Sequence, residues 1–228
     1  MNTHYTYLLL DIGSIFFPFL LSFDRKVHFY THWLRLFPAL LINAIIFIVW
    51  DEIFTREGIW SFNSTYLLGY NIGSLPVEEW LFFLAIPYAC IFIYQCLKEY
   101  FKDYLQPLSK VITVFLLILS LILIVIFNDR LYTLVTFTLL MIILLFHWWK
   151  FGTKHLGYFY FMWIIHLIPF GIINGFLTSL PVVQYNDMEN MSIRIGTIPF
   201  EDAFYSMVKL LLIVTIFEWQ RKDKTKAI

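Results

Sequence analysis

Long apolar stretches alternate with short polar loops along the whole chain. Seven such stretches can be recognised, at residues 5–21, 33–50, 79–97, 111–127, 131–149, 158–176 and 203–219. Each has about the length that an α-helix needs to cross a hydrocarbon layer of roughly 30 Å. The pattern therefore predicts an all-α integral membrane protein with seven transmembrane helices.

The apolar stretches also repeat along the chain. Residues 37–43 (Phe-Pro-Ala-Leu-Leu-Ile-Asn) resemble residues 168–174 (Ile-Pro-Phe-Gly-Ile-Ile-Asn), and residues 72–79 (Ile-Gly-Ser-Leu-Pro-Val-Glu-Glu) resemble residues 195–202 (Ile-Gly-Thr-Ile-Pro-Phe-Glu-Asp). The first three helices therefore correspond to the last three. Because a fourth helix connects them, both copies have the same orientation, which makes them parallel repeats. We expect one membrane domain with repeat 1 at about 1–105, a connector helix at about 106–128 and repeat 2 at about 129–228.

The composition agrees with a membrane location. Hydrophobic residues make up 60% of the chain and charged residues 14%, whereas about a quarter of residues are charged in soluble domains. Mean hydropathy is +0.74. The formal net charge is zero, which gives no reason to expect a nucleic acid partner.

Basic residues are divided unevenly between the two sets of loops. The larger set has twelve members, Arg25, Lys26, Arg35, Lys98, Lys102, Lys110, Lys150, Lys154, Arg221, Lys222, Lys224 and Lys226. The opposite loops contain three, Arg56, Arg130 and Arg194. By the positive-inside rule, we expect a multi-pass cell membrane protein with its N-terminus outside and its C-terminus in the cytoplasm.

Each copy of the second repeated motif places two adjacent carboxyl groups at the start of an apolar stretch. They are Glu78 and Glu79 in repeat 1 and Glu201 and Asp202 in repeat 2. Such acids often only stabilise the first turn of a helix, which Ser74 and Thr197 are expected to cap. Acids carried toward lipid are costly and often functional, however, and here they occur twice at matching positions. We interpret the four as catalytic, with at least one holding a proton as a general acid.

The loop before the first acidic motif contains aromatic residues. Trp60 and Phe62 follow Asp51 and Glu52 in the same loop. Electron-rich ring faces attract cations, so an aromatic wall beside an acid could stabilise a carbocation. A belt of aromatic residues at the membrane surface is the alternative interpretation.

Several of these segments together resemble a known family. Residues 174–178 (Asn-Gly-Phe-Leu-Thr), 181–183 (Pro-Val-Val), 185–186 (Tyr-Asn) and 194–205 (Arg-Ile-Gly-Thr-Ile-Pro-Phe-Glu-Asp-Ala-Phe-Tyr) resemble the second half of membrane lycopene cyclases. Residues 50–62, which run from Trp-Asp to Gly-Ile-Trp-Ser-Phe, and residues 76–79 resemble the first half. The similarity is to the fused form of the heterodimeric bacterial type, related to the cyclase domain of fungal bifunctional enzymes.

The resemblance implies a specific activity. It implies an isomerase (intramolecular lyase), a lycopene β-cyclase that converts the ψ-ends of lycopene to β-ionone rings without redox change, cofactor or metal. Glu78, Glu79, Glu201 and Asp202 would divide the acid and base roles. The substrate-binding residues would be Trp60, Phe62, Trp80, Asn174 and Tyr205. The expected partners are lycopene or a related acyclic carotenoid, membrane lipid and other carotenoid enzymes.

The two halves differ at some matching positions. Repeat 2 has Ala203 where repeat 1 has Trp80, and Lys209 where repeat 1 has Ile86. We therefore expect the halves to be chemically unequal.

Three alternatives remain open at this point. A prenyltransferase would hold Mg²⁺ and a diphosphate with acids of two loops, Asp51, Glu52, Glu57, Asp187 and Glu189. A non-enzymatic seven-helix retinal protein would bind its chromophore through Lys209. A carotenoid enzyme of the same fold would direct the cation to hydration or to an ε-ring.

Overall fold

The computed structural model describes residues 3–220, and helices dominate this part of the chain. Its seven α-helices are α1 (Thr6–Leu21), α2 (Trp33–Arg56), α3 (Val77–Tyr100), α4 (Ser109–Ile126), α5 (Leu131–Phe151), α6 (Leu156–Ser179) and α7 (Phe200–Trp219). Short 3₁₀ helices cover Thr3–Tyr5, Phe29–His32, Ser64–Tyr66 and Gln106–Leu108. Each predicted apolar stretch thus coincides with one helix, and several helices extend beyond the stretch.

Five of these helices, α2 to α6, are long and apolar enough to cross a membrane. The other two differ for separate reasons. Helix α1 has 16 residues, or about 24 Å at 1.5 Å per residue. Helix α7 carries four charged residues, Glu201, Asp202, Lys209 and Glu218. Five helices thus have the length and composition of membrane spans, while the spanning of a membrane by all seven helices stays a prediction.

Two tight hairpins lead into α3 and α7. Strands β2 (Asn71–Ile72) and β3 (Leu75–Pro76) form the first, and strands β5 (Arg194–Ile195) and β6 (Ile198–Pro199) form the second. The first central residue of each turn is a glycine, Gly73 with φ +71° and Gly196 with φ +64°. This left-handed conformation favours glycine, as in the type II′ turns of two-residue hairpins.

The hairpins correct the expectation that Ser74 and Thr197 cap the helices. Both residues lie in the turns, and Pro76 and Pro199 precede the helices without any side-chain capping bond. A cap is not needed for the first amide, because the residues just before β2 and β5 supply acceptors. The Val77 amide donates to the Tyr70 carbonyl at 2.9 Å, and the Phe200 amide donates to the Ile193 carbonyl at 2.9 Å.

A third strand pair joins the two halves of the chain. Strand β1 (Trp60–Phe62) pairs antiparallel with β4 (Val183–Tyr185), with Trp60 opposite Tyr185 and Phe62 opposite Val183. At the 123-residue offset of the acidic motifs, Trp60 corresponds to Val183 and Phe62 to Tyr185. Trp60 therefore faces the counterpart of Phe62, and Phe62 faces the counterpart of Trp60. This is the pattern of an isologous contact around a two-fold axis.

The helices pack around a centre formed by α3 and α7. Helix α1 packs on α3, α5 packs on α7, and α4 lies against α5. Helices α2 and α6 each contact both central helices. The first turns of α3 and α7, which carry the four predicted acids, thus reach the interior from both halves.

Candidate active site

The two acids of each motif face different surroundings. Glu79 and Asp202 line one cleft between the helices, whereas Glu78 and Glu201 do not line it. All four are buried. Because adjacent helical residues point about 100° apart, only one member of each pair can face the cleft.

Glu78 and Glu201 hold the loops in front of their helices. The Leu68 amide donates to Glu78 Oε1 at 2.6 Å, and the Met191 amide donates to Glu201 Oε1 at 2.7 Å. Leu68 and Met191 occupy matching positions in the two halves. In repeat 2 the Thr133 hydroxyl also donates to Glu201 Oε1, at 2.6 Å.

Glu79 and Asp202 accept hydrogen bonds from tyrosines at the cleft wall. The Tyr7 hydroxyl of α1 donates to Glu79 Oε2. The Tyr132 hydroxyl of α5 donates to Asp202 Oδ1 at 2.6 Å. In each half, a tyrosine of the first helix thus donates a hydrogen bond to an acid at the start of the third helix.

Asp202 has two further donors. The Tyr185 hydroxyl donates to Asp202 Oδ2 at 2.8 Å, and the Asn174 side-chain amide reaches the same oxygen at 3.4 Å. Burial raises the pKa of the Tyr185 hydroxyl well above its usual value, and the Asp202 carboxylate adds to this effect. Tyr185 therefore remains a hydrogen-bond donor at neutral pH.

A third acid of the cleft was not among the predicted catalytic residues. Asp51 is 2% exposed, lines the cleft beside Glu79, and accepts a hydrogen bond from the Trp60 indole N–H. It has no acidic counterpart, because at the 123-residue offset the matching residue of repeat 2 is Asn174, whose amide reaches Asp202 as Asp51 lies beside Glu79. Helical periodicity was the available signal, since Asp51 follows Phe47 by four residues on the buried face of α2.

Aromatic rings enclose much of the cleft. Of the five predicted substrate-binding residues, Trp60, Phe62, Asn174 and Tyr205 line it. The Trp60 and Tyr132 ring centroids are 5.2 Å apart, and Tyr132 stacks on Tyr185 at 6.1 Å. Trp80 does not line the cleft, because it follows Glu79 directly and so faces another side of α3.

Lys209 lies at the inner end of the same cleft. Its side chain is 2% exposed, and its Nζ lies 4.4 Å from the centroid of the Phe82 ring and 5.2 Å from that of Phe83. These are cation–π distances. The Lys209 ammonium group thus faces α3. The residue of α3 that matches Lys209 is Ile86, which carries no charge.

The acids required by the diphosphate alternative do not converge. Asp51 faces the cleft, whereas Glu52 pairs with Arg56 at 2.6 Å and accepts from the Ser74 amide. In the other loop, Asp187 pairs with Arg194, and Glu189 Oε2 accepts from the Leu131 amide at 3.2 Å. Each of these acids is thus committed to a separate local contact.

Comparisons with protein families, curated proteins and solved structures give different results. Searches of curated proteins and of solved structures found no match. The family described as lycopene cyclase matches residues 4–97 and 128–220, which is well over half of the chain. The two matched segments contain α1 to α3 and α5 to α7 and leave out α4. The chain therefore belongs to the lycopene cyclase family.

Proposed function

We propose that this protein is a cofactor-independent lycopene β-cyclase that forms β-carotene by way of γ-carotene. The observation that carries this proposal is the meeting of Glu79 and Asp202, one from each half, in a single buried cleft walled by aromatic rings. The chemistry needs a proton donor, a proton acceptor and a surface that tolerates a carbocation. All three have candidates within the cleft.

The reaction balances without an electron carrier. A carboxylic acid adds a proton to the terminal double bond of the ψ-end. The neighbouring double bond attacks the resulting tertiary cation, which forms the carbon–carbon bond of the ring and moves the positive charge to a ring carbon. A carboxylate then removes a ring proton, and the electron pair of that C–H bond becomes the ring double bond.

The surroundings of the three acids suggest their roles. Asp51 and Glu79 lie side by side in a buried site, where two negative charges repel strongly, so we assign the pair one shared proton and the role of acid. Asp202 accepts from three donors, Tyr132, Tyr185 and Asn174. Donors stabilise a carboxylate, so we assign Asp202 the role of base.

The remaining groups of the cleft control the cation. The faces of Trp60, Tyr132, Tyr185 and Tyr205 can stabilise positive charge. Their packing also excludes water, which would otherwise add to the cation and give a hydrated product. A β-ring rather than an alcohol is therefore the proposed outcome.

The same proposal includes the arrangement of the chain in the membrane. Contacts that recur at matching positions, such as Leu68 with Glu78 and Met191 with Glu201, support two parallel repeats joined by α4. We place the N-terminus outside and the C-terminus in the cytoplasm of a cell membrane, with the acyclic carotenoid drawn from the bilayer.

Expression in a host that accumulates lycopene tests the function. Pigment chromatography should show γ-carotene and then β-carotene, and unchanged lycopene in the presence of folded protein would refute the proposal. The acid assignments are tested with Asp51→Asn, Glu79→Gln and Asp202→Asn. Each should lower the rate at least about 100-fold, the usual scale of general acid–base catalysis.

Glu78→Gln and Glu201→Gln are the matched controls. An amide oxygen can still accept from the Leu68 or Met191 amide, so folded control protein should cyclise within a few-fold of the wild-type rate. The assigned site is wrong if the controls lose activity while the three cleft variants keep it.

A further inference from the structure

An apolar groove continues from the cleft along the middle of α3. Helix α3 forms the floor, α1 one wall and α6 the other. The floor and walls include Ile86, Ala89, Cys90, Ile93, Pro18 and Ile173.

The groove and the cleft share part of their lining. Phe82, Ile86, His166, Phe170 and Asn174 line both. From Phe82 to Ile93 the floor extends eleven residues along α3, or about 17 Å at 1.5 Å per residue. The cleft with its acids therefore continues directly into the long apolar groove.

Exposed apolar residues flank the groove on both sides. Helices α1 and α6 both pack on α3, and beside the groove they expose Phe17 of α1 (66%) and Ile168 of α6 (69%). Exposed apolar surface of this kind marks a site of membrane contact. A long apolar molecule could thus enter sideways from the bilayer.

The matching positions of the other half have different side chains. Lys209 replaces Ile86 and Leu212 replaces Ala89. A charge and a larger side chain therefore stand where the groove has apolar surface and space. This makes the groove a property of one half and not a consequence of the repeat.

We propose that this groove binds the polyene chain of the carotenoid whose end group lies in the cleft, an inference that rests on the proposed function. A carotenoid is longer than the groove, so its far end stays in the bilayer. Only one end group can then reach the acids at a time. The second ring requires the monocyclic product to leave, turn around and bind again.

Two substitutions should block the groove without touching the acids. Ile173→Trp fills one wall and Ala89→Phe fills the floor. The matched control is Ile42→Trp, because Ile42 is an isoleucine of α2 that is 43% exposed and does not line the groove. We expect each blocking variant to convert lycopene at least tenfold more slowly than wild type, and Ile42→Trp to convert it at the wild-type rate.

A binding measurement separates this inference from the proposed function. In a Glu79→Gln/Asp202→Asn background, the carotenoid that copurifies with the protein should fall at least tenfold with Ile173→Trp and stay unchanged with Ile42→Trp. If wild type cyclises nothing but this binding pattern holds, the groove is supported and the proposed function fails. If wild type cyclises and both blocking variants bind and react as wild type does, the groove proposal is overturned.

A third readout needs no change in the groove. Cys90 lines the groove and Cys96 does not, and both thiols are free. Bound carotenoid should slow alkylation of Cys90 by a lipid-soluble maleimide several-fold and leave Cys96 unaffected. Equal rates at Cys90 with and without bound carotenoid would overturn the proposal.

Discussion

Rotation along a helix separates the two acids of each motif. Glu79 and Asp202 face the cleft, whereas Glu78 and Glu201 accept amide hydrogen bonds from preceding loops. A buried amide without an acceptor costs about 1–3 kcal/mol. We therefore expect Glu78 and Glu201, the outer acids, to contribute mainly to folding, and Glu79 and Asp202, the inner acids, to carry the chemistry.

The Tyr185→Phe variant tests the donors around Asp202. It removes a 2.8 Å hydrogen bond to Asp202 and keeps the aromatic ring. A hydrogen bond to a charged group contributes roughly 1.5–3 kcal/mol, so the rate of cyclisation should fall on the order of tenfold or more. The rate is measured in membranes with equal amounts of folded protein.

Thr133→Val is the corresponding control at the outer acid. It removes a 2.6 Å hydrogen bond to Glu201, which does not line the cleft. We expect lower thermal stability and a rate within a few-fold of wild type. A large loss of rate with unchanged stability would contradict the division between inner and outer acids.

At the scale of elements, the helices follow from sequence and the strands do not. Long apolar stretches identify helices because every backbone polar group must be satisfied within the segment. Strands β1 and β4 have three residues each and pair across more than 120 positions, so no local pattern reveals them. The role of Asp51 is hidden for a related reason, because it depends on Glu79 of the neighbouring helix α3 and no local pattern reveals that contact.

The two hairpins provide a matched pair of substitutions. Gly73→Ala and Gly196→Ala both place a side chain at positive φ, which costs about 1–2 kcal/mol. At Gly73 the new Cβ would also lie 2.8 Å from Glu52 Oε2, whereas nothing lies within 4 Å at Gly196. Thermal unfolding in detergent should therefore show the larger loss for Gly73→Ala. Equal losses would mean that the Glu52 side chain moves away freely.

At the scale of the whole molecule, a polar cluster holds the helix ends opposite the acid site. Glu218 of α7 pairs with Lys98 of α3 at 2.5 Å and lies 3.8 Å from His155, just before α6. The Tyr94 hydroxyl donates to Glu218 at 3.0 Å. Three helices from both halves thus meet at one carboxylate.

His155 gives this cluster a pH dependence. Burial lowers the pKa of His155 from its usual 6.5 to about 4, with Lys98 and Lys154 adding to the decrease and Glu218 opposing it. Between these pH values the unfolded chain binds a proton that the folded protein does not. The contribution of His155 to the free energy of unfolding is therefore fully present above about pH 6.5 and is lost as the pH decreases toward about 4.

The His155→Asn variant isolates this contribution. Asparagine carries no charge and tolerates the positive φ of 72° found at this position. Thermal unfolding in detergent at a series of pH values should show a smaller loss of stability between pH 6.5 and 4 for the variant. Parallel curves for both proteins would show that His155 does not titrate differently on folding.

Basic residues near the same helix ends determine the expected orientation in the membrane. Of the twelve basic residues assigned to the cytoplasmic side, Arg221, Lys222, Lys224 and Lys226 lie outside the described residues. Contacts at this end include Lys98 with Glu218 and Lys150 over the Trp219 ring at 4.0 Å. Lys98 and Lys150 thus lie at the end opposite the acidic cleft, the end that the positive-inside rule predicts to be cytoplasmic.

Single cysteines at the two ends test this orientation. Tyr70 is 73% exposed between β1 and α3, and Tyr104 is 66% exposed between α3 and α4. In a cysteine-free background, Tyr70→Cys should react with a membrane-impermeant maleimide in right-side-out vesicles, and Tyr104→Cys only in inside-out vesicles. Both positions lie outside the cleft, so pigment production by each variant verifies that the labelled protein is folded. The reverse labelling pattern would invert the protein and place the acid site toward the cytoplasm.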